Sequence, residues 1–412
     1  MKTVWIINQD ASTPDTGVGG RSYYLGKELA KKGYRVYVIA SASHHLLHVK
    51  KTVSKPFTLE TDGSFSFVWV RLPGYSTAHS KMRVFNWFLF AWRICHLNRV
   101  ISHMPDVILC SSPSLISFIG AHRLAVKLKA RLVFEVRDIW PLTLTEIGGY
   151  SAKHPFIRFL QWVEDKAYRD SDAVISNLKN AVHHMTSRGM PFEKFTWIPN
   201  GFSNEEAVGA RPLDSETLQL IPKAGFLVGY TGTFGLANDI FTLLDAAAML
   251  KDYPDIHFIL VGGGKDKIEL VEYAQNLNLA NVIFIDFVEK KQIQSVLAHF
   301  DVLTVGAKNE PMYRFGVSPN KLFDYFASGK PIIYHISSGD YCPVSDAGCG
   351  YEVEPQNAVQ LSTAILRIYQ MPETERELMG AKGLMAAVEH YEYSQLAIKL
   401  EKVLFQGVLS SN

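Results

Sequence analysis

The stretch Tyr313 to Gly329, YRFGVSPNKLFDYFASG, concentrates groups that suit an anionic ligand. Its second half has apolar residues at helical spacing, and Ser318-Pro319-Asn320 reads as the start of that helix. Such an N-terminus presents unpaired N–H groups and the positive end of the helix dipole, which together suit a pyrophosphate. Arg314 and Lys321 flank it with fixed positive charge. Asp324 lies one turn beyond Lys321, where a carboxylate can accept two ribose hydroxyls. Taken alone, the segment reads better as a surface helix with a solvated Lys and Asp. Combined with two glycine-rich loops elsewhere in the chain, it reads as a site.

The elements that must hold these residues alternate between strand and helix. Thr3 to Ile7 reads as a strand, followed by the loop TGVGGRS and the helical run YYLGKELAKKG, with Gly33 at its end. Tyr34 to Ala40 is the next strand, so the unit is βαβ with a right-handed crossover. Phe67 to Arg71, Val107 to Cys110, Arg131 to Glu135, Ala173 to Ser176 and Phe195 to Ile198 continue the series. A polar, turn-rich stretch after Pro199-Asn200-Gly201 reads as a linker. A second series follows at Phe226 to Thr231, His257 to Val261, Val282 to Ile285, Val302 to Val305 and Pro331 to Tyr334. The pattern predicts two doubly wound Rossmann-like α/β domains, residues 1–205 and 206–388. A helical segment, 389–412, can pack back on the first. In this arrangement ligands bind in a cleft outside the carboxyl ends of the strands.

Other candidates sit after strands. Gly17 to Gly20 joins the first strand to the first helix, so Gly19 and Gly20 can turn N–H groups towards phosphates; a tight turn is the alternative. Arg21 opens that helix and can reach a phosphate or an acceptor. Arg137 and Asp138 follow the strand ending at Glu135, where Asp138 can orient an acceptor hydroxyl or the pair can cap the loop. Glu146 is a further acceptor-side candidate. His44, His45 and His48 cluster without a neighbouring carboxylate or thiol, so His44 and His45 read as an acceptor-side loop and no metal site is expected. Lys81 to Val100 is rich in aromatic and basic residues and has no acid, and Lys153 to Arg169 repeats the pattern more weakly. These segments suit either an interfacial helix on an anionic membrane or a buried helix with a basic edge.

Composition narrows the class. The 412 residues carry 42 basic and 40 acidic side chains, a formal charge of +2, so nothing global argues for nucleic acid. Four cysteines without a CxxC pair make no disulfide framework and suit a reducing compartment. The opening MKTVWIINQD reads as a strand rather than a signal peptide, and no apolar run is long enough to span a bilayer. The terminal EKVLFQGV faintly resembles a cleavage tag and is read as native.

Six segments, GVGGRSYYLGKEL, VRDIWPLTLTEIG, IPNGF, YTGTFGLAND, VGGGKDK and GVSPNKLFDYFASGKPII, occur in the order seen in family-4 retaining glycosyltransferases of the GT-B fold, which the chain resembles over nearly its whole length. The likeness is greatest to a bacterial branch acting on O-antigen and capsule precursors that includes the N-acetyl-L-fucosamine transferases. Two departures stand out. The wider family has a Glu-x7-Glu pair, but here the positions hold Gly316 and Asp324. It also clamps the phosphates with cations after the first strand of the second domain, but Thr231 to Gly235 has none. The phosphate charge is therefore assigned to Arg314 and Lys321, with backbone N–H groups of Gly235 and of Phe315, Gly316, Val317 and Ser318, and Asn320, completing the donor site. From the resemblance alone, the base stacks near Phe287 and Val288, and Arg137 and Asp138 lie near the reacting centre.

The resemblance implies a retaining glycosyltransferase of lipopolysaccharide, O-antigen or capsule polysaccharide biosynthesis. It would move a sugar, an N-acetylated amino sugar such as L-FucNAc, from a UDP-sugar to a polyprenyl-diphosphate-linked saccharide. No cofactor and no divalent metal are expected. The expected location is cytoplasmic, peripheral on the inner face of the bacterial membrane through the 81–100 region. Two alternatives remain: a UDP-sugar 2-epimerase, and a non-catalytic nucleotide-sugar-binding protein.

Overall fold

The computed structural model describes residues 1–17, 19–49, 51–75 and 80–406. Val18 of the first glycine-rich loop, and Gly407 and Val408 of the C-terminal run, lie outside the described residues. Two compact units form: Met1–Pro199 with Tyr393–Asn412, and Asn200–Glu392.

The first unit is built on strands β1 (Thr3–Ile7), β2 (Arg35–Ser41), β3 (Phe57–Asp62), β4 (Phe65–Val70), β5 (Val107–Ser111), β6 (Arg131–Val136), β7 (Ala173–Ser176) and β8 (Phe195–Trp197). They lie in the order β3-β4-β2-β1-β5-β6-β7-β8. The described pairings are parallel except β3 with β4. TVWII of β1 is buried on both faces, as a central parallel strand must be, and so it reads as a continuous apolar run. The chain leaves β1 towards β2 and later returns on its other side as β5. That reversal is the switch point at which doubly wound sheets bind ligands.

Sequence reading missed β3, because an exposed edge strand, FTLETD, has little to bury. Its signal was the Asp62-Gly63 turn, where Gly63 takes φ +59° and closes a hairpin onto β4.

Three helices cover this sheet where the site and its surroundings are built: α1 (Arg21–Lys31), α2 (Lys81–Ile94) and α3 (Ile116–Leu128). Helices α2 and α3 approach closely at Gly120, where a Cβ would stand 2.4 Å from the Ala91 carbonyl oxygen and 2.6 Å from Ile94 Cγ1. Gly120→Val should therefore force them apart and destabilise the unit by about 1–3 kcal/mol, lowering the melting temperature by several degrees. An unchanged melt would show that the helices part without loss.

The last helix, Tyr393–Phe405, belongs to the first unit. Tyr393 stacks on Tyr24 at 4.9 Å, Phe405 stacks on Tyr34 at 4.7 Å, and Tyr34 donates to Glu401 at 2.7 Å. Leu396, Leu400 and Leu404 join the unit's apolar core, which places this helix against α1.

The second unit holds β9 (Phe226–Thr233), β10 (Ile256–Gly263), β11 (Val282–Ile285), β12 (Val302–Gly306), β13 (Ile332–His335) and β14 (Gly350–Glu352). The order is β11-β10-β9-β12-β13-β14, parallel in its described pairings. Its switch point falls between β9 and β12. The stretch read as a linker carries short helices at Asn204–Val208 and Ser215–Leu220 within this unit. All four cysteines are free; Cys110 and Cys349 are buried, while Cys95 and Cys342 are partly exposed.

Candidate functional site

Lys321 occupies the switch point of the second unit. It is the second residue of the helix Asn320–Ala327. That helix is docked on β9 by Tyr325, whose hydroxyl accepts from Thr231 N at 2.8 Å. The docking carries the Lys321 ammonium to the loop after β9. Nζ donates to the Tyr230 hydroxyl and to Asn238 Oδ1, each at 2.8 Å, and lies 4.3 Å from the Tyr230 ring centroid. A Cβ on Gly232 would stand 3.0 Å from Nζ, so a larger residue there would press on the ammonium. The loop lacks a cation of its own and receives one from the neighbouring helix. Asn238 is one of its two polar partners.

Burial pushes the Lys321 ammonium down to about 7. No carboxylate pairs with it among the described residues. A partly desolvated charge with only neutral partners carries a cost, and an anion would relieve it. Sequence reading missed its neighbour His335, the last residue of β13. The imidazole packs so tightly on Gly306 that a Cβ there would meet Cε1 at 1.8 Å. Burial, and then the Lys321 charge, hold His335 down to about 4, so it stays neutral. Its position at a strand's carboxyl end was the available signal.

The rest of the segment is arranged less uniformly. Asn200 holds the turn before the helix, with N donating to Ser318 Oγ at 3.0 Å and Nδ2 to the Ser318 carbonyl at 2.7 Å. Asn320 is exposed at the open helix start, while Leu322 N already donates to the Pro319 carbonyl. Gly316 needs correction as an N–H donor to the sugar. At φ +90° it turns its N–H to the Tyr313 carbonyl at 2.8 Å, so that group is spent. Phe315 is buried and Val317 partly so. Arg314 is exposed on the turn Pro311–Phe315, where it donates to the Pro311 carbonyl and lies 4.3 Å from the Phe315 ring centroid. Asp324 is ion-paired with Lys290 at 2.6 Å, a partner the sequence did not suggest. Beyond β11, Phe287 is 68% exposed, as a stacking platform requires, and Val288 is buried beneath. Gly235 caps the turn Leu236–Asn238, and a Cβ at Gly264 would meet the Phe234 carbonyl at 2.2 Å, so the two glycine loops are in contact.

The first unit corrects two acceptor-side assignments. Arg21 is buried: Nε donates to Glu135 Oε1 at 2.6 Å and Nη1 to the Pro199 carbonyl, which commits it to the core. Burial alone would raise the Glu135 carboxyl. Arg21, Arg137 and the Ser111 hydroxyl outweigh burial and hold it below the usual range. His44 is also buried, with Nε2 on the Ala11 carbonyl at 3.2 Å, so it is not available to a ligand. His45 is partly buried beside Tyr75. Gly19 and Gly20 take φ +68° and +80° and lead directly into α1. Asp138 organises its own loop, accepting from Trp140 Nε1 and Thr143 Oγ1 at 2.7 Å each, and Glu146 is exposed nearby in sequence. The backbone N of Arg137 donates to Ser112 Oγ at 2.8 Å.

Helix α2 has two apolar faces. Trp87, Phe90, Ala91 and Ile94 are buried, while Phe85, Phe88 and Trp92 are 55%, 45% and 63% exposed at spacings that keep them on the opposite side. Phe88 stacks on Phe159 of the helix Pro155–Asp170, which stacks in turn on Trp162. The helix thus has one buried apolar side and one exposed aromatic side. Among the described residues no helix is long and apolar enough to cross a membrane.

Comparison with known proteins fits this division. Residues 16–201 match the family described as "Glycosyl transferase 4-like domain", and residues 218–383 match "Glycosyl transferases group 1". The chain is 24% identical over 216 residues to "Putative teichuronic acid biosynthesis glycosyltransferase TuaH" of Bacillus subtilis (strain 168), 49% of this chain and 50% of that protein. It is 23% identical over 282 residues to "Putative colanic acid biosynthesis glycosyl transferase WcaI" of Escherichia coli (strain K12), 65% of this chain and 67% of that one. The match thus spans half the length of the first relative and about two-thirds of the second. Among solved structures, sucrose-phosphate synthase from Thermosynechococcus elongatus superposes with a TM-score of 0.73 at 17% identity, covering 100% of both chains. Anabaena Alr3699/HepE, in complex with UDP and glucose, gives 0.67 at 15% identity over 98% of this chain and 100% of that one. The expected GT-B fold is the fold shared with these glycosyltransferases.

Proposed function

We propose that this chain, composed of a glycosyl transferase 4-like domain and a glycosyl transferases group 1 domain, moves a sugar from a UDP-sugar to a polyprenyl-diphosphate-linked saccharide in the building of a cell-surface polysaccharide. The names of TuaH and WcaI support the polysaccharide part of this reading. The observation that carries the donor part is Lys321, a half-buried ammonium with neutral hydrogen-bond partners at the switch point of the second sheet.

In this reading the donor diphosphate supplies the missing counter-charge. Lys321 and the open N–H groups of the helix Asn320–Ala327 stabilise the departing diphosphate, where negative charge grows in the transition state. Arg314 reaches the same group by swinging from the Pro311 carbonyl. Asp324 takes the ribose hydroxyls while keeping Lys290, and Phe287 stacks on the base. Asp138 retains lone pairs beyond its two local donors and orients the acceptor hydroxyl, with Arg137 beside it. Transfer proceeds with retention, and because no side-chain carboxylate occupies the Gly316 position to act as a covalent nucleophile, the acceptor attacks on the leaving-group face. The sugar is an N-acetylated amino sugar, no divalent metal takes part, and the exposed face of α2 rests on the lipid surface that holds the acceptor.

The test is a melting screen with nucleotide sugars in the presence of EDTA, followed by turnover on a polyprenyl-diphosphate saccharide. A donor at about 100 times its Kd should stabilise by about 2.7 kcal/mol, several degrees. The product anomer, read by NMR, should match the donor's. Absence of any shift with every nucleoside diphosphate sugar would sink the proposal, and epimerised donor without acceptor would replace it with the epimerase.

A further inference from the structure

A basic pocket lies between the carboxyl-terminal ends of α2 and α3, and the transfer reaction makes no use of it. Its volume is about 420 Å³, and its lining includes Trp92, His96, Arg99, Arg123 and Lys127. Both helices run from the carboxyl edge of the first sheet, where the switch point is, to its amino edge, because α2 leads into β5 and α3 into β6. The pocket therefore sits at the opposite end of the unit from the strand ends that carry Asp138.

Its charge is not neutralised from within. Helices α2 and α3 contain no Asp or Glu. The acids of the neighbouring helix Pro155–Asp170 are paired with groups outside the pocket lining, although Asp170 also lies 3.5 Å from His122 of α3. Glu164 accepts from Tyr168 and His184, Asp165 pairs with Arg188, and Asp170 pairs with Lys166 and Arg169. Lys127 contacts only the neutral Asn98 Oδ1, at 3.4 Å, and no ion pair involves Arg99 or Arg123 among the described residues. Two helix ends contribute about −0.5 charge each, which three full cations exceed. The pocket thus keeps a net positive charge, with two guanidiniums suited to a phosphate.

What surrounds the pocket indicates which phosphate. Phe85, Phe88 and Trp92 form one exposed line along α2, continued sideways by Phe159 and Trp162, and that line ends at Trp92 in the pocket wall. A free anion would use the cations and leave this apolar strip in water. A phospholipid uses both, its acyl region against the aromatic rings and its phosphate among Arg99, Arg123 and Lys127. We infer that this pocket binds the phosphate head group of an anionic phospholipid and fixes how α2 lies on the membrane. The inference rests on the membrane contact proposed above and adds to it a specific charged seat.

The experiment uses the full chain with phosphatidylcholine vesicles, with and without phosphatidylglycerol, in a flotation assay. Wild-type protein should prefer the phosphatidylglycerol vesicles. Arg99→Ser/Arg123→Ser/Lys127→Ser should lose that preference, with binding reduced at least about tenfold and the melting temperature unchanged. Phe85→Ser/Trp162→Ser should weaken binding to both vesicles. Millimolar inorganic phosphate should not release the wild-type protein. If the triple variant keeps the preference while the aromatic variant detaches, the pocket assignment falls and membrane contact stands. Wild-type protein that floats with neither vesicle would remove both. Release by inorganic phosphate would make this a free-phosphate site and overturn the lipid assignment.

Discussion

Lys321→Met should abolish measurable donor binding and lower kcat/KM by about 10²–10³-fold, the loss typical of removing one donor from a developing anion. Its fold should be at least as stable as the wild type below pH 7. Both effects have one cause. The ammonium is half-buried against Tyr230 and Asn238 and has no counterion among the described residues, so desolvation pushes it down to about 7 from an ordinary 10.5. Methionine has similar length and no charge to bury. The Tyr230 hydroxyl still donates to the Thr233 carbonyl at 2.9 Å after the change.

The pH dependence has a definite sign. Between about 7 and 10.5 the unfolded chain holds the Lys321 proton and the folded chain does not, so wild-type stability climbs with pH in that window. Below it the full penalty is present. The melting-temperature advantage of Lys321→Met should thus be largest at pH 6 and shrink by pH 9. A bound diphosphate reverses the balance by favouring the ammonium, so donor binding above pH 7 should take up a proton and weaken as pH rises. Calorimetry in buffers of different ionisation enthalpy measures that uptake. Wild-type donor affinity in Lys321→Met would refute the assignment.

The role of Lys321 was partly legible in the sequence. The loop Thr231 to Gly235 has no cation of its own, and Lys321 stands in the segment read as the donor site. Strands such as VWII and FILVG were legible because parallel strands bury both faces and become unbroken apolar runs. β3 and the three-residue β14 bury too little to leave that trace. Pairings distant in sequence left none either. Lys290 meets Asp324 across 34 residues, and His335 reaches Gly306 only because β12 and β13 are adjacent. Arg21 was misread for the same reason. A cation opening a helix after a glycine loop looks identical whether it meets a ligand or Glu135, 114 residues away.

That ion pair gives the largest expected effect on stability. Glu135→Ala should cost about 3–5 kcal/mol, because it strands the buried Arg21 guanidinium, whose side chain is 1% exposed. For a unit of this size the melting temperature should fall by about 10 °C. The Arg21→Met/Glu135→Leu pair should recover most of the loss, since the cost of one buried charge disappears with the other. Acid should act in the same direction as Glu135→Ala. Burial opposes ionisation of Glu135, but Arg21, Arg137 and Ser111 prevail and hold its carboxyl below 4.5. Its contribution is therefore complete above the ordinary carboxylate range and is lost as pH falls through the lowered value. The difference between wild type and Glu135→Ala should narrow below pH 4. Arg21 also holds the Pro199 carbonyl, the last residue of the first unit before the chain enters the second. If Glu135→Ala melted like the wild type, Arg21 would have found another partner, and its exclusion from ligand binding would no longer follow from the pairing.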